Sequence, residues 1–201
     1  MHKAIIFDLG RVLVHFDFKR GYKALEGLCP HAAADIPRRI ASTDLVTRFE
    51  TGLVESLDFF EQFSRLLDLR LDYRRFCDVW SCIFTDPLLP EAMLQSLARR
   101  YRLMLLSNTN AIHFRMVRES YGPLLSHFHD MILSYEVKLM KPDPKIFRLA
   151  VERAGCRPGE CFYTDDIPAY TAAACAEGID AVTFESAAQI ERELAARGIR
   201  I

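Results

Sequence analysis

Apolar residues form short continuous runs near both ends of the chain and spread to helical spacing between them. Ala4-Ile5-Ile6-Phe7 is continuously apolar, as a strand buried on both faces is, and it stops at Asp8, just before Gly10. Residues 3–7 are therefore predicted to form a buried strand. From about residue 18 to 85 no comparable run occurs. Stretches such as Leu57-Asp58-Phe59-Phe60-Glu61-Gln62-Phe63 repeat their apolar residues at helical spacing, which predicts an all-helical insert. After Asp86-Pro87 and Pro90 the pattern predicts a helix of about a dozen residues, then a strand over 103–106 that ends at Ser107-Asn108-Thr109-Asn110. A run over 131–134 precedes a loop holding Lys138 and Lys141-Pro142-Asp143-Pro144, where a helix starts. Residues 161–164 read as a strand ending at Asp165-Asp166, with a helix through the alanines to Gly178. A strand over 181–184 and a helix from Ser186 close the alternation. Strand and helix in turn predict an α/β fold, a parallel sheet with helices on both faces. Its expected extent is residues 1–14 and 88–201, with 15–87 as the helical insert.

With 201 residues, half of them hydrophobic, the chain is long enough to bury a sizeable core. The 26 basic and 27 acidic side chains nearly cancel, so no nucleic-acid or anionic-membrane partner is expected. No apolar run approaches a membrane span, and the first residues enter a strand without a leader pattern. A soluble, cytoplasmic protein is expected, as monomer or homodimer. None of the six cysteines forms a Cys-x-x-Cys pair, which points to reduced thiols. His127 and His129 would share one face of a short strand, without a third ligand for a metal.

The candidate chemistry lies at the strand ends. In a parallel sheet the C-terminal ends of the strands share one edge, so Asp8, Ser107, Asn108, Lys141, Asp165 and Asp166 are expected to converge. Three carboxylates together are costly without a cation, and hard oxygen ligands suit Mg²⁺. A lysine and small polar donors beside that ion would hold phosphate oxygens while one carboxylate attacks phosphorus.

At this point the chain resembles the haloacid dehalogenase-like hydrolases, whose four motifs match "IIFDLGRVL", "LLSNTN", "KLMKPDPKIF" and "FYTDDIPAYTAAACAEG" in order. Within that family it is similar to small bacterial phosphatases of the α-D-glucose-1-phosphate phosphatase type. The resemblance implies a Rossmann-like core with a small helical cap over the site. It further implies Asp8 as nucleophile and Mg²⁺ ligand, Gly10 as a carbonyl ligand, and Asp166 as a direct metal ligand. Asp165 would bind the ion directly or through water, Ser107 and Asn108 would hold the phosphoryl oxygens, and Lys141 would neutralise them. A small phosphorylated metabolite such as a hexose 1-phosphate is the implied substrate. Arg11, Thr109 and the cap residues Arg48, Phe49 and Trp80 are candidates to touch it.

Two departures stand out. Most phosphatases of the family carry a second aspartate where this chain has Gly10, and that residue protonates the leaving group. His15 and Asp17 are the candidate substitutes. The position four residues after Asp166, often an acid or Asn, is Tyr170, which implies weak, millimolar Mg²⁺ dependence. Two alternatives stay open: a 2-haloacid dehalogenase, which needs no metal, and a phosphate-binding module that has lost turnover.

Overall fold

The computed structural model describes residues 1–201. Seven strands occur in chain order: β1 (Ala4–Phe7), β2 (Val14–Phe16), β3 (Phe84–Pro87), β4 (Arg102–Ser107), β5 (Asp130–Leu133), β6 (Cys161–Asp165) and β7 (Asp180–Thr183). Five of them form one parallel sheet in the order β5-β4-β1-β6-β7, while β2 and β3 pair antiparallel as a separate ribbon. β1 is central, with Phe7 in register with Leu105 on one side and Thr164 on the other. Chain direction therefore reverses its travel across the sheet at β1, the place where open α/β sheets form a crevice.

Helices α1 (Phe18–Glu26), α2 (Ile36–Ala41), α3 (Leu45–Glu50), α4 (Ser56–Leu67) and α5 (Tyr73–Ser81) lie between the two ribbon strands. The remaining helices are α6 (Glu91–Ala98), α7 (Ala111–Ser120), α8 (Gly122–Leu125), α9 (Ser134–Val137), α10 (Pro144–Ala154), α11 (Pro168–Ala176) and α12 (Ala187–Ala196). No helix is long and apolar enough to cross a membrane.

Alternation along the buried strands divides the core in two. Ile5, Phe7, Leu103, Leu105 and Phe162 face α6, α7 and α12, whereas Ala4, Ile6, Met104, Leu106 and Tyr163 face α10 and α11. The segment α1–α5 has its own aromatic cluster: Phe49 stacks on Phe59 at 4.0 Å, and Phe63, Phe76 and Trp80 pack around them. Phe49 and Trp80, candidates for substrate contact, are buried in that cluster as cap core.

Caps fix the helix starts. Asp17 accepts from the backbone N–H of Lys19, Asp72 from that of Arg75, Asn110 from that of His113 and Asp143 from that of Lys145. Several boundaries differ from the sequence reading. The β2–β3 ribbon interrupts what reads as wholly helical sequence, because Phe84 and Phe16 pair across it and their rings pack together. α6 is eight residues long, shorter than the expected dozen, since the chain turns at Arg99–Tyr101 to enter β4. β5 ends at Leu133, leaving Ser134 to open α9. His127 and His129 lie outside any strand; His127 bonds Glu91, and His129 Nδ1 accepts from the backbone N–H of Leu103.

Candidate active site

Asp8 follows β1 directly, and its backbone N–H donates to the Thr164 carbonyl, which extends the sheet pairing to the acid itself. Asp165 ends the neighbouring β6. Between the two carboxylates lies the ammonium of Lys141, 2.6 Å from Asp8 Oδ1 and 2.6 Å from Asp165 Oδ2. The same Nζ donates to the Leu106 carbonyl at 3.1 Å, so each of its three hydrogens has a partner. All three side chains are buried.

The lysine loop is pinned from β4. Asn108 Oδ1 accepts from the Lys141 backbone N–H at 2.9 Å, and its Nδ2 donates to the Lys141 carbonyl at 2.9 Å. These two hydrogen bonds make the Asn108 side chain a positioning group for the lysine loop. Nδ2 also reaches the Tyr170 hydroxyl at 3.4 Å. Asp165 is held as firmly, receiving the Tyr163 hydroxyl on Oδ2 and the Ile167 backbone N–H on Oδ1 at 2.9 Å.

Asp166 is the free member of the group. Its nearest charged partner is the exposed Arg11, 3.9 Å away, whose guanidinium lies over the Phe16 ring. Ligand oxygens of Asp8, Asp165 and Asp166 all lie within 4.8 Å of one another. Burial pushes the Asp8 carboxyl up, opposed by Lys141 and reinforced by Asp165. Burial and Asp165 also raise Asp166. The ammonium of Lys141 stays charged: burial disfavours it, but Asp8 and Asp165 outweigh that and hold it above the ordinary lysine value. One buried ammonium does not balance three carboxylates, and the excess negative charge on hard oxygens fits a divalent cation.

A small cavity of about 50 Å³ opens beside this group, lined by Gly10, Ser107, Asn108 and Thr109 from the sheet edge and by Phe16 and Glu50 opposite. Phe16 occupies the place of a side chain at residue 10: a Cβ built on Gly10 would meet its ring at 2.5 Å. His15 and Asp17, the candidate substitute acids, are exposed or half-exposed, lie outside the cavity wall and are engaged elsewhere. His15 bonds Thr85, and Asp17 caps α1. The Thr109 backbone N–H is likewise used, donating to Ser134 Oγ at 2.9 Å. Arg48, half-buried and outside the cavity wall, lies 3.8 Å from Asp44.

Glu50 went unnoticed in the sequence, where an acid ahead of Thr51-Gly52 looks like any solvated charge. Its carbonyl accepts from Ser134 Oγ at 2.6 Å, and that serine also contacts Thr109, so the end of α3 is clamped to the sheet edge. Next to it, Gly52 has φ +68°, and a Cβ there would lie 1.9 Å from the Tyr135 carbonyl oxygen. Burial pushes the Glu50 carboxyl up to about 7. Tyr163 was equally unmarked, although its position two residues before Asp165 places both on one face of β6.

The family model of haloacid dehalogenase-like hydrolases matches residues 2–178. A D-ribitol-5-phosphate phosphatase of Bacteroides thetaiotaomicron is 27% identical over 83% of this chain and 84% of its own length. A haloacid dehalogenase-family enzyme of the same organism, solved in complex with magnesium and inorganic phosphate, superposes with a TM-score of 0.83 and 26% identity. The match covers 92% of this chain and 96% of that one. An L-2-haloacid dehalogenase of Xanthobacter autotrophicus, 20% identical with a TM-score of 0.64 over 100% of this chain and 85% of its own, shares the fold. With the strand-end acids, the lysine between them and a family match across most of its length, the chain belongs to the haloacid dehalogenase-like hydrolases.

Proposed function

We propose that this chain, a phosphatase of that family, hydrolyses a small phosphorylated sugar or polyol in the cytoplasm, through a phosphoryl-enzyme on Asp8. The observation that carries this reading is Lys141 held at 2.6 Å from both Asp8 and Asp165, with Asp166 completing the acid cluster at the sheet edge. Asp8, Asp166 and the Gly10 carbonyl would hold Mg²⁺, with Asp165 joining directly or through water. The ion, when bound, neutralises charge on the transferring phosphoryl group.

Asp8 Oδ attacks phosphorus while Lys141 favours its ionised form against burial and offsets the incoming charge. Asn108 holds the lysine in line through its two backbone bonds. Ser107, buried at the rim of the cavity, donates to a phosphoryl oxygen. Arg11, beside Asp166, is placed to meet an anionic or hydroxylated substrate at the entrance.

Residues 15–87 serve as the cap in this reading, hinged at the β2–β3 ribbon. A cavity of about 50 Å³ holds a few waters at most. In this reading the cap lifts to admit substrate, and its closure then excludes water from the phosphoryl group. The named activity of the ribitol-phosphate relative supports a polyol or sugar phosphate as substrate. The dehalogenase alternative would leave Asp166 without a task. Six free thiols suit a reducing compartment.

The test is phosphate release from a panel of sugar and polyol phosphates, with Mg²⁺ or with EDTA. Metal-dependent turnover that vanishes in Asp8→Asn is the expected result; metal-independent turnover, or none on any phosphate, would refute the reading.

A further inference from the structure

The site as described lacks a proton donor for the leaving group, and the structure shows why residue 10 does not supply one. Residue 10 is glycine and the Phe16 ring lies where its Cβ would be, so an acid here comes from another residue. Among the residues lining the small cavity, two are titratable, Glu50 and His113. His113 has no proton to offer. Its ring is buried, Nε2 is 2.9 Å from the Trp80 carbonyl, Nδ1 is 3.0 Å from Asn110 Nδ2, and burial holds it down at about 4. The phenol of Tyr170, which Asn108 contacts, is raised by burial and lies outside the cavity wall.

Glu50 differs from both. Its side chain has no ion pair and no hydrogen-bond partner in the protein, while its backbone is fixed by Ser134 and by the tight approach of Gly52 to Tyr135. It stands between the small cavity and a second, mostly apolar one of about 110 Å³ inside the helical segment, lined by Leu25, Tyr22 and Trp80. Glu50 thus lines a mostly apolar cavity on one side and the cavity it shares with Gly10 and Ser107 on the other.

We propose that Glu50 is the general acid and base of the reaction, acting from the cap in place of the side chain that Gly10 lacks. The inference rests on the phosphatase reading. In the first half, Asp8 Oδ bonds phosphorus, the bond from phosphorus to the ester oxygen breaks, and the Glu50 carboxyl gives its proton to that oxygen, releasing an alcohol. In the second half, the Glu50 carboxylate takes a proton from water as the water oxygen attacks phosphorus. The bond from phosphorus to Asp8 breaks, and inorganic phosphate leaves with both carboxyls restored. A half-desolvated acid whose proton affinity lies near neutrality suits both directions. Because the acid sits on the cap, bond breaking is tied to closure: an open cap leaves Asp8 in place without its proton donor.

The experiment compares the wild type with Glu50→Gln, a near-isosteric and neutral replacement, on an alkyl phosphate and on p-nitrophenyl phosphate, with rapid-quench kinetics. Glu50→Gln is expected to lose about 100-fold or more on the alkyl ester. On p-nitrophenyl phosphate, whose leaving group needs no proton, it should release one equivalent of nitrophenol in a burst and then stall. Alkyl turnover within about threefold of wild type, or no burst from a variant that melts like wild type, overturns the proposal. A measurement independent of the variant is the dependence of wild-type kcat/KM on leaving-group acidity across alkyl and aryl phosphates. A nearly flat dependence is expected, and a steep one overturns the acid role. If wild type shows no Asp8-dependent turnover at all, the phosphatase reading falls and takes this role with it; wild-type turnover with an undiminished Glu50→Gln removes the acid role alone.

Discussion

At the sheet edge the deeply buried charged side chains are bonded: Lys141 to Asp8, Asp165 and Leu106, and Asp165 to Tyr163 and Ile167. Across the cavity, Glu50 has a fixed backbone and an unpartnered carboxyl. On the floor Lys141 offsets part of the negative charge of the acids around it, whereas in the roof burial raises a carboxyl that has no partner. A nucleophile needs the first environment and a proton donor with a near-neutral proton affinity needs the second. In the proposed mechanism the two are divided between sheet and cap, with Glu50 in the wall of a small cavity that Gly10 and Ser107 also line.

Changes at the floor should be the most costly. Lys141→Ala leaves Asp8 and Asp165 facing each other without their ammonium. Activity should fall below detection, and chemical denaturation at pH 8 without added metal should show a loss of about 3–5 kcal/mol, as for other broken buried pairs. A fully active or equally stable variant would mean the two carboxylates are neutralised by something other than the lysine.

The roof is expected to respond less. Gly52→Ala must place a Cβ against the Tyr135 carbonyl at positive φ, whereas Gly155→Ala, at nearly the same φ of +67°, meets nothing within 4 Å. The Gly155 change should cost about 1–2 kcal/mol from backbone strain alone. The Gly52 change should cost more than that and also raise KM, because it pries α3 from Tyr135. Equal costs in thermal melts, with unchanged KM, would remove the clamp from the account.

The smallest effect belongs to the opposite edge of the sheet. Glu160, just before β6, accepts from the Arg157 backbone and side chain and pairs with Lys3, and these bonds hold its carboxyl down at about 2 against an ordinary 4.5. A depressed folded-state value means its contribution is present above 4.5 and fades as pH falls toward 2. Glu160→Gln should therefore flatten the fall in melting temperature over that interval and leave turnover at neutral pH unchanged. A loss of activity at neutral pH would show that this edge is coupled to the site.

The acids of the floor were legible in the sequence because Asp8 and Asp165 end short apolar runs, and parallel strands bring such ends together. Asp8, Ser107 and Asp165 follow from that pattern alone. Lys141 sits in a loop, and its place between two acids depends on the Asn108 bonds, which spacing does not reveal. The roof was illegible for a different reason. α3 is six residues long, Glu50 lies at its end, and only the docking of that end on Ser134 and Tyr135 turns an ordinary charge inward. Phe49 and Trp80 fell to the other side of an open choice, because an aromatic at helical spacing packs a small cluster more often than it lines a site, and both belong to the cluster of the helical segment. His15 and Asp17 look like spare acids beside the first motif until the ribbon and the α1 cap are seen to occupy them.

The most direct measurement is acid quenching of the wild type during turnover of p-nitrophenyl phosphate with Mg²⁺, followed by borohydride reduction and peptide mapping. An aspartyl phosphate on the sheet-edge nucleophile should appear as homoserine at position 8, and Glu50→Gln should accumulate more of it than wild type. Turnover with no modification at position 8, or with modification on another residue, would contradict the account.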